Sequence, residues 1–371
     1  MVRSLFRALI PGAHAVRLVI PGILVAVGLA LLANVVADGM SDGIAGLPKI
    51  PSSPVLCAVL LGMLWRNTLG VPASCQEGLN LAMHGLLRTG IALVGLKLTL
   101  SGATVIAETA LPVAIGCIAT ALVAGVFVSK IFGVPRRLAT LLAIGTAVCG
   151  CTAVVAMSPV IRARHVETFF AVTCVVLFGS IAMVFYPWVA HHFFASSPLH
   201  AGIFLGTAIH DTSQVIGAAL IYSQQLAAPD ALSAASVAKL LRNLSIVVLI
   251  PAAAWFMRND PDQPAAEQKT SLARAVPLFV VAFLAFVLLR TVGDAFFPGT
   301  EAAQQWSSLV NTGSSASQLL LTCGMTAVGL SVSFTQMRSV GWRPLAAGFA
   351  IATIVGCCSL MFTRLMQLFA A

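Results

Sequence analysis

Gly206 to Ala219 reads GTAIHDTSQVIGAA and sets five consecutive polar residues, His210, Asp211, Thr212, Ser213 and Gln214, between apolar runs. A continuous lipid-facing helix would expose several of them to hydrocarbon. The cheaper solution is a helix broken at this point, with the break buried in protein or turned to a water-filled cavity. Gly145 to Met157, GTAVCGCTAVVAM, echoes the stretch: Gly-Thr-Ala and an aliphatic, three differing residues, then Thr152 against Ser213 and Val154 against Val215. Two related breaks in one chain read as two halves of one binding site.

The surroundings fit. Of 371 residues, 59% are hydrophobic and only 9% charged, with a mean hydropathy of +0.98. That balance excludes a soluble domain, and the apolar runs are too long for the alternating strands of an outer-membrane barrel. The fold class expected is all-α and polytopic. The formal net charge of +9 sits largely in short connections, where it sets topology, so no nucleic-acid partner is implied. Nine cysteines, most inside apolar runs, make no disulfide framework. Cys149 and Cys151 lack the further ligands of a zinc site, so neither metal nor cofactor is expected.

Hydropathy gives about eleven spans. They run from Leu18 to Ala37, Val55 to Leu69, Leu79 to Leu98, Leu111 to Phe132, Leu138 to Met157, Thr168 to Val189, His200 to Tyr222, Leu232 to Met257, Val276 to Val292, Ser315 to Phe334 and Pro344 to Phe369. The chain reads as a single transmembrane domain, 1–371, with no soluble domain and repeat-like segments near 79–157 and 200–369. The first run is longer than a secretory apolar core and reads as a span that stays. Arg3, Arg7 and Arg17 place the N-terminus in the cytoplasm, and an odd span count places the C-terminus outside. Arg162 and Arg164 conflict with this count, because a fully crossing fifth span delivers them outside. Either that span is re-entrant, or protein or substrate holds the two arginines. The same count gives the two Gly-Thr-Ala segments equal orientation, whereas an inverted repeat needs opposite ones. A second echo, Leu87 to Leu100 against Leu321 to Phe334 with a shared Val-Gly-Leu, joins segments of opposite parity and favours inverted repeats.

The candidate solute site lies between the two breaks: Thr146, Cys149, Gly150 and Thr152 on one side, His210, Ser213 and Gln214 on the other, with Lys239 or Arg242 supplying charge. Small residues allow an unwound turn, and backbone amides with hydroxyls give directional hydrogen bonds to an oxyanion. Histidine titrates near neutrality and a carboxylate at membrane depth can carry a proton, so His210 and Asp211 are the coupling-ion candidates. Lys239, Arg242 and Asn243 share one helix face at i, i+3 and i+4. They read either as cations facing a cavity or as side chains snorkelling from a helix end. Glu77, His84 and Arg88 make a similar stripe, read as an ion-paired structural face. Interior cations outnumber Asp211, the only acid inside an expected span, and favour an anionic solute.

At LLRTGIALVGLKLTL (Leu86 to Leu100), GTAVCGCTAVVAMSPVI (Gly145 to Ile161), GTAIHDTSQVIGAA and VAKLLRNLSIVVLIP (Val237 to Pro251), the chain resembles the bacterial YeiH-type sulfate exporters. The resemblance covers nearly the whole chain. It implies an inner-membrane secondary transporter with a fold similar to the bile-acid symporter and sodium/proton antiporter superfamily: inverted repeats, with two broken helices crossing at mid-membrane. Thr152 stands where the family carries serine and keeps the hydroxyl. Asp211 stands where the family is usually uncharged, which shifts weight to His210 and Gln214.

Three readings follow. The first is a secondary transporter, not an enzyme, exporting a small anion of the sulfate or sulfonate class, with H⁺ or Na⁺ as candidate coupling ion, the lipid bilayer around it and a homodimer left open. The second is a cation/proton antiporter of the same fold using Asp211. The third is an intramembrane enzyme pairing Ser213 with His210, against which stands the absence of G-x-S-x-G and H-E-x-x-H. No nucleotide-binding G-x-x-x-x-G-K-[ST] is present for a primary pump.

Overall fold

A computed structural model describes residues 13–42, 53–249, 252, 278–297, 301–335 and 341–370. Arg3, Arg7 and most of the connection carrying Arg258, Lys269 and Arg274 lie outside the described residues. The described chain is helical, without strands: α1 (Ala13–Asp42), α2 (Pro54–Thr68), α3 (Ala73–Lys97, with a π turn at Ala82–Leu86), α4 (Leu100–Phe132), α5 (Arg136–Ala147), α6 (Cys151–Met157), α7 (His165–Phe194), α8 (Pro198–Ala208), α9 (Thr212–Gln225), α10 (Asp230–Leu244), α11 (Leu278–Phe296), α12 (Glu301–Ser331) and α13 (Trp342–Ala370). Among the described residues, seven helical spans are long and apolar enough to cross a membrane. The other four hydropathy segments fall on α2, on the α5–α6 and α8–α9 pairs, and on the second half of α12.

The chain forms two compact units, 1–91 with 315–333 and 92–314 with 334–371. In the first, glycines let backbones touch. Gly22 of α1 lies against Cys75, Gly78 and Leu79 of α3, and Gly62 of α2 against Thr326 and Gly329 of α12. Asn67 Nδ2 donates to the Val332 carbonyl at 2.9 Å, and Ser317 Oγ to that of Gly90 at 2.8 Å.

The second unit holds both Gly-Thr-Ala segments, and in each the helix breaks. At twelve and seven residues, α5 and α6 reach about 18 and 10 Å at 1.5 Å per residue, each short of the roughly 30 Å of a bilayer core. They run antiparallel. Gly145 faces Val154 near the tip, and at the far end the Arg137 guanidinium donates to the Arg162 carbonyl at 3.4 Å. The segment therefore turns back on itself, and this brings Arg162 and Arg164 to the end from which α5 started. There Arg164 pairs with Glu167 at 3.0 Å, and Glu167 also accepts from the Arg164 backbone amide, closing a cap on α7. Arg162 adopts φ 50° in the tight turn into that cap. The hairpin accounts for the side on which these arginines lie, and Arg164 is in addition held by Glu167.

The next pair does the same from the other end of α7. Phe204 of α8 packs against Phe194, near the C-terminus of α7, and the start of α9 reaches the middle of α7 through Gln214. Helix α10 runs parallel to α8, Gly202 lying on Ala231 and Ala234 and Gly206 on Ala235 and Ala238. It runs antiparallel to α9, since Asn243 reaches Thr212 at 3.2 Å while Gln225 and Asp230 flank one short turn. So α9 returns to the level where α8 began. Because α5 runs with α7 and α8 against it, the two Gly-Thr-Ala helices point in opposite directions. The equal orientation given by span counting rested on a full crossing at 138–157, which the hairpin replaces.

Candidate functional site

The two hairpins meet at their tips. Gly145 faces Val175, while Gln214 Nε2 donates to the Val176 carbonyl at 3.0 Å and to Ser180 Oγ at 3.2 Å, with Gly179 leaving room for its amide. Both tips thus lie at the middle of the thirty-residue α7. The breaks fall at matched positions under one offset, 206 − 145 = 61. Helices α5 and α8 end at Ala147 and Ala208, and α6 and α9 begin at Cys151 and Thr212. The matched N-caps, Gly150 and Asp211, abut: a side-chain carbon at Gly150, where φ is +63°, would lie 2.8 Å from Asp211 Oδ2.

Each break exposes the carbonyl end of a helix, with unpaired acceptors and a partial negative charge. Helix α10 answers both. Lys239 Nζ donates to Val148 O at 2.7 Å, to Ile209 O at 3.0 Å and to His210 O, which uses all three ammonium protons. Arg242 donates from Nε to Ala147 O at 3.0 Å, from Nη2 to Thr146 O and from Nη1 to Thr207 O. Val148 and Ile209 are matched positions, and so are Thr146 and Thr207. Each cation therefore bridges equivalent carbonyls of the two hairpins. Both side chains are fully buried. The remaining carbonyls of the last turn of α5 accept locally, Ile144 O from Val148 N and Gly145 O from Gly150 N.

The structure gathers most of the sequence-selected residues at this junction, in different roles. Thr146 is buried and engaged through its carbonyl, Cys149 is a buried free thiol, and Thr152 is exposed. Asp211 caps α9, accepting from Ser213 N at 2.9 Å and from Ser213 Oγ at 2.5 Å. Gln214 ties α9 to α7. His210 is 2% exposed, and neither ring nitrogen has a hydrogen-bond partner. Gln214 Oε1 and Asn243 Oδ1 are likewise buried without a partner. Away from this site, His84 Nδ1 meets the Asn80 carbonyl at 3.2 Å. Gly179 and Ser180 join the site beyond the residues marked by the two breaks, and the Gly-Ser pair inside the apolar run of α7 is their signal in the sequence. Among the described residues no group of three or more metal-capable side chains comes together.

Two opposed helical hairpins joined at their tips by buried cations, within an all-helical chain of several apolar spans, define an all-α, multi-pass membrane protein with discontinuous helices. The chain belongs to the UPF0324 family of membrane proteins: residues 21–348 match the family model described as Conserved hypothetical protein 698. A UPF0324 membrane protein of Pseudomonas putida is 32% identical over 313 residues, 82% of this chain and 84% of the relative. Relatives from Ralstonia nicotianae and Nitratidesulfovibrio vulgaris, both also UPF0324 membrane proteins, are 31% and 28% identical. They are matched over 86% and 92% of this chain and 87% and 91% of their own lengths.

Proposed function

We propose that this protein is a secondary transporter of the bacterial inner membrane that exports a small anion of the sulfate or sulfonate class, as its YeiH-type resemblance implies. The observation that carries the reading is the tip junction. Opposed half-helices meeting at mid-depth are how alternating access is built around one site, and the charge there is cationic in excess, the buried Lys239 and Arg242 against the half-buried Asp211. The opposed directions of the two matched hairpins support an inverted-repeat architecture of the bile-acid symporter kind. The solute would meet Cys149, Thr152 and Ser213 along the junction and the two unpaired nitrogens of His210, with the cations setting the sign of the potential without each contacting it.

Charge supports an orientation. The His165 end of the second unit carries Lys130, Arg136, Arg137, Arg162 and Arg164, whereas at the Phe194 end Arg364 donates to the Phe193 carbonyl and the connections 195–197 and 226–229 carry neither lysine nor arginine. That asymmetry supports a cytoplasmic His165 end. The enzyme reading that pairs Ser213 with His210 is disfavoured, because the Ser213 hydroxyl donates to Asp211 and not to His210.

Efflux of radiolabelled sulfate from proteoliposomes tests the reading, with sulfonates as competitors. Saturable flux lost in His210→Ala, while that variant still inserts and folds, is the expected outcome. Flux of Na⁺ or H⁺ indifferent to the anion would instead favour the cation/proton antiporter. Intact flux in both His210→Ala and Gln214→Ala would move the site elsewhere.

A further inference from the structure

The junction of the tips is an oxygen cage. Val148, Ile209 and His210 turn their carbonyls to one point, and the carbonyl ends of α5 and α8 add their partial negative charge there. Unwound carbonyls at half-helix ends are the ligands from which transporters build sites for alkali cations. Here the point is filled from within the chain. We propose that Lys239 is a tethered cation: its ammonium holds the position of a coupling ion, so that Na⁺ and K⁺ have no place at this junction and do not drive the carrier.

Three features carry this. The ammonium spends every proton on the cage, so it is a ligand of the cage and not a charge waiting for one. Two of its acceptors, Val148 O and Ile209 O, are matched positions of the two hairpins, so the cation sits on the pseudo-symmetry element, where one ion serves both halves. Finally, Arg242 closes the next layer, taking Thr146 O, Ala147 O and Thr207 O, so no adjacent set of carbonyls is left for a second ion. The Asp211 carboxylate is committed to Ser213 as the cap of α9. A free alkali ion would have to displace an ammonium that is covalently held beside its own site.

The consequence for coupling rests on the transporter reading; the cage itself does not, and it is tested without flux. Purified full-length protein is melted in NaCl, KCl and choline chloride at equal ionic strength, alongside Lys239→Ala and Lys239→Met. The wild type is expected to melt at the same temperature in all three salts. Lys239→Ala should melt lower in choline and rise saturably with Na⁺, K⁺ or methylammonium, because a ligand bound only by the folded state stabilises it. Lys239→Met fills the space with an apolar chain and should gain nothing. A wild type stabilised by Na⁺ or K⁺ over choline overturns the proposal, and so does a Lys239→Ala protein that responds to no small cation. If Lys239→Ala cannot be recovered folded, the wild-type comparison decides alone. Loss of the cage with sulfate flux intact would leave the transporter reading standing with an alkali coupling ion. A confirmed cage without flux would remove the reading and keep the cation.

Discussion

Arg242 stands between two helix ends that would otherwise strand carbonyls in a dry interior. Each buried acceptor left without a donor costs about 1–3 kcal/mol, and Arg242 serves three residues on two hairpins, Thr146, Ala147 and Thr207. Arg242→Met is therefore expected to lower stability by about 3 kcal/mol or more. Arg242→Lys should recover only part of this, since a point charge cannot reproduce a planar fork aimed at separate oxygens. Melting of the purified variants reads both. Gly150 makes a second case. With φ +63° and ψ −123° it occupies a region costly for any residue with a side chain, and Asp211 stands in the way of a Cβ. Gly150→Ala should cost about 1–3 kcal/mol, and a melting temperature equal to wild type would mean that the tip relaxes freely. At this scale the sequence was legible in part. The spacing of Lys239, Arg242 and Asn243 put them on one face and left cavity-facing and snorkelling readings open. Their acceptors were hidden, because a carbonyl at a helix end belongs to the backbone and leaves no mark in residue type.

The hairpins were half legible. Five adjacent polar residues, and the Gly-Thr-Ala echo, located both breaks to within a few residues, since polar side chains and an unbroken lipid-facing helix are incompatible. What hydropathy could not reveal is direction. Leu138 to Met157 is apolar enough to read as one span whether its halves continue or fold back, because a sum over a window ignores the sense of the chain. The one hint was the misplaced pair Arg162 and Arg164, and the hairpin answers it. A cysteine placed at Ala163, in a background cleared of native cysteines, is expected to react with an impermeant thiol reagent from the same face as one at Gly133, and one at Ala195 from the opposite face. Reaction of the first two from opposite faces would restore a crossing at 138–157 and return the two matched segments to equal orientation.

Over the whole chain the two sequence echoes follow different offsets. The break pair is offset by 206 − 145 = 61, whereas the Val-Gly-Leu pair is offset by 328 − 94 = 234. The second pair also matches locally. Leu98 N donates to Gly95 O and Val332 N to Gly329 O, each at 3.1 Å, and both helices interrupt at the matched residues Leu98 and Val332. Yet the first members run in the order 87 then 145, while their partners run 321 then 206, so one tandem duplication cannot have produced both. The topological forecast survives this. Exchanging two full crossings, 138–157 and 200–222, for two hairpins removes an even number of passages, so the parity of the chain from its arginine-rich start is unchanged. It flips only for α7, the one passage between the hairpins, and that places Arg162 and Arg164 with Lys130, Arg136 and Arg137 on one side. A fluorescent reporter that matures only in the cytoplasm, fused after Ala371, should stay dark, and one inserted between Arg162 and Arg164 should be bright. A bright signal at Ala371 would mean that one of the remaining passages, the fifteen-residue α2 first among them, also turns back before reaching the far side.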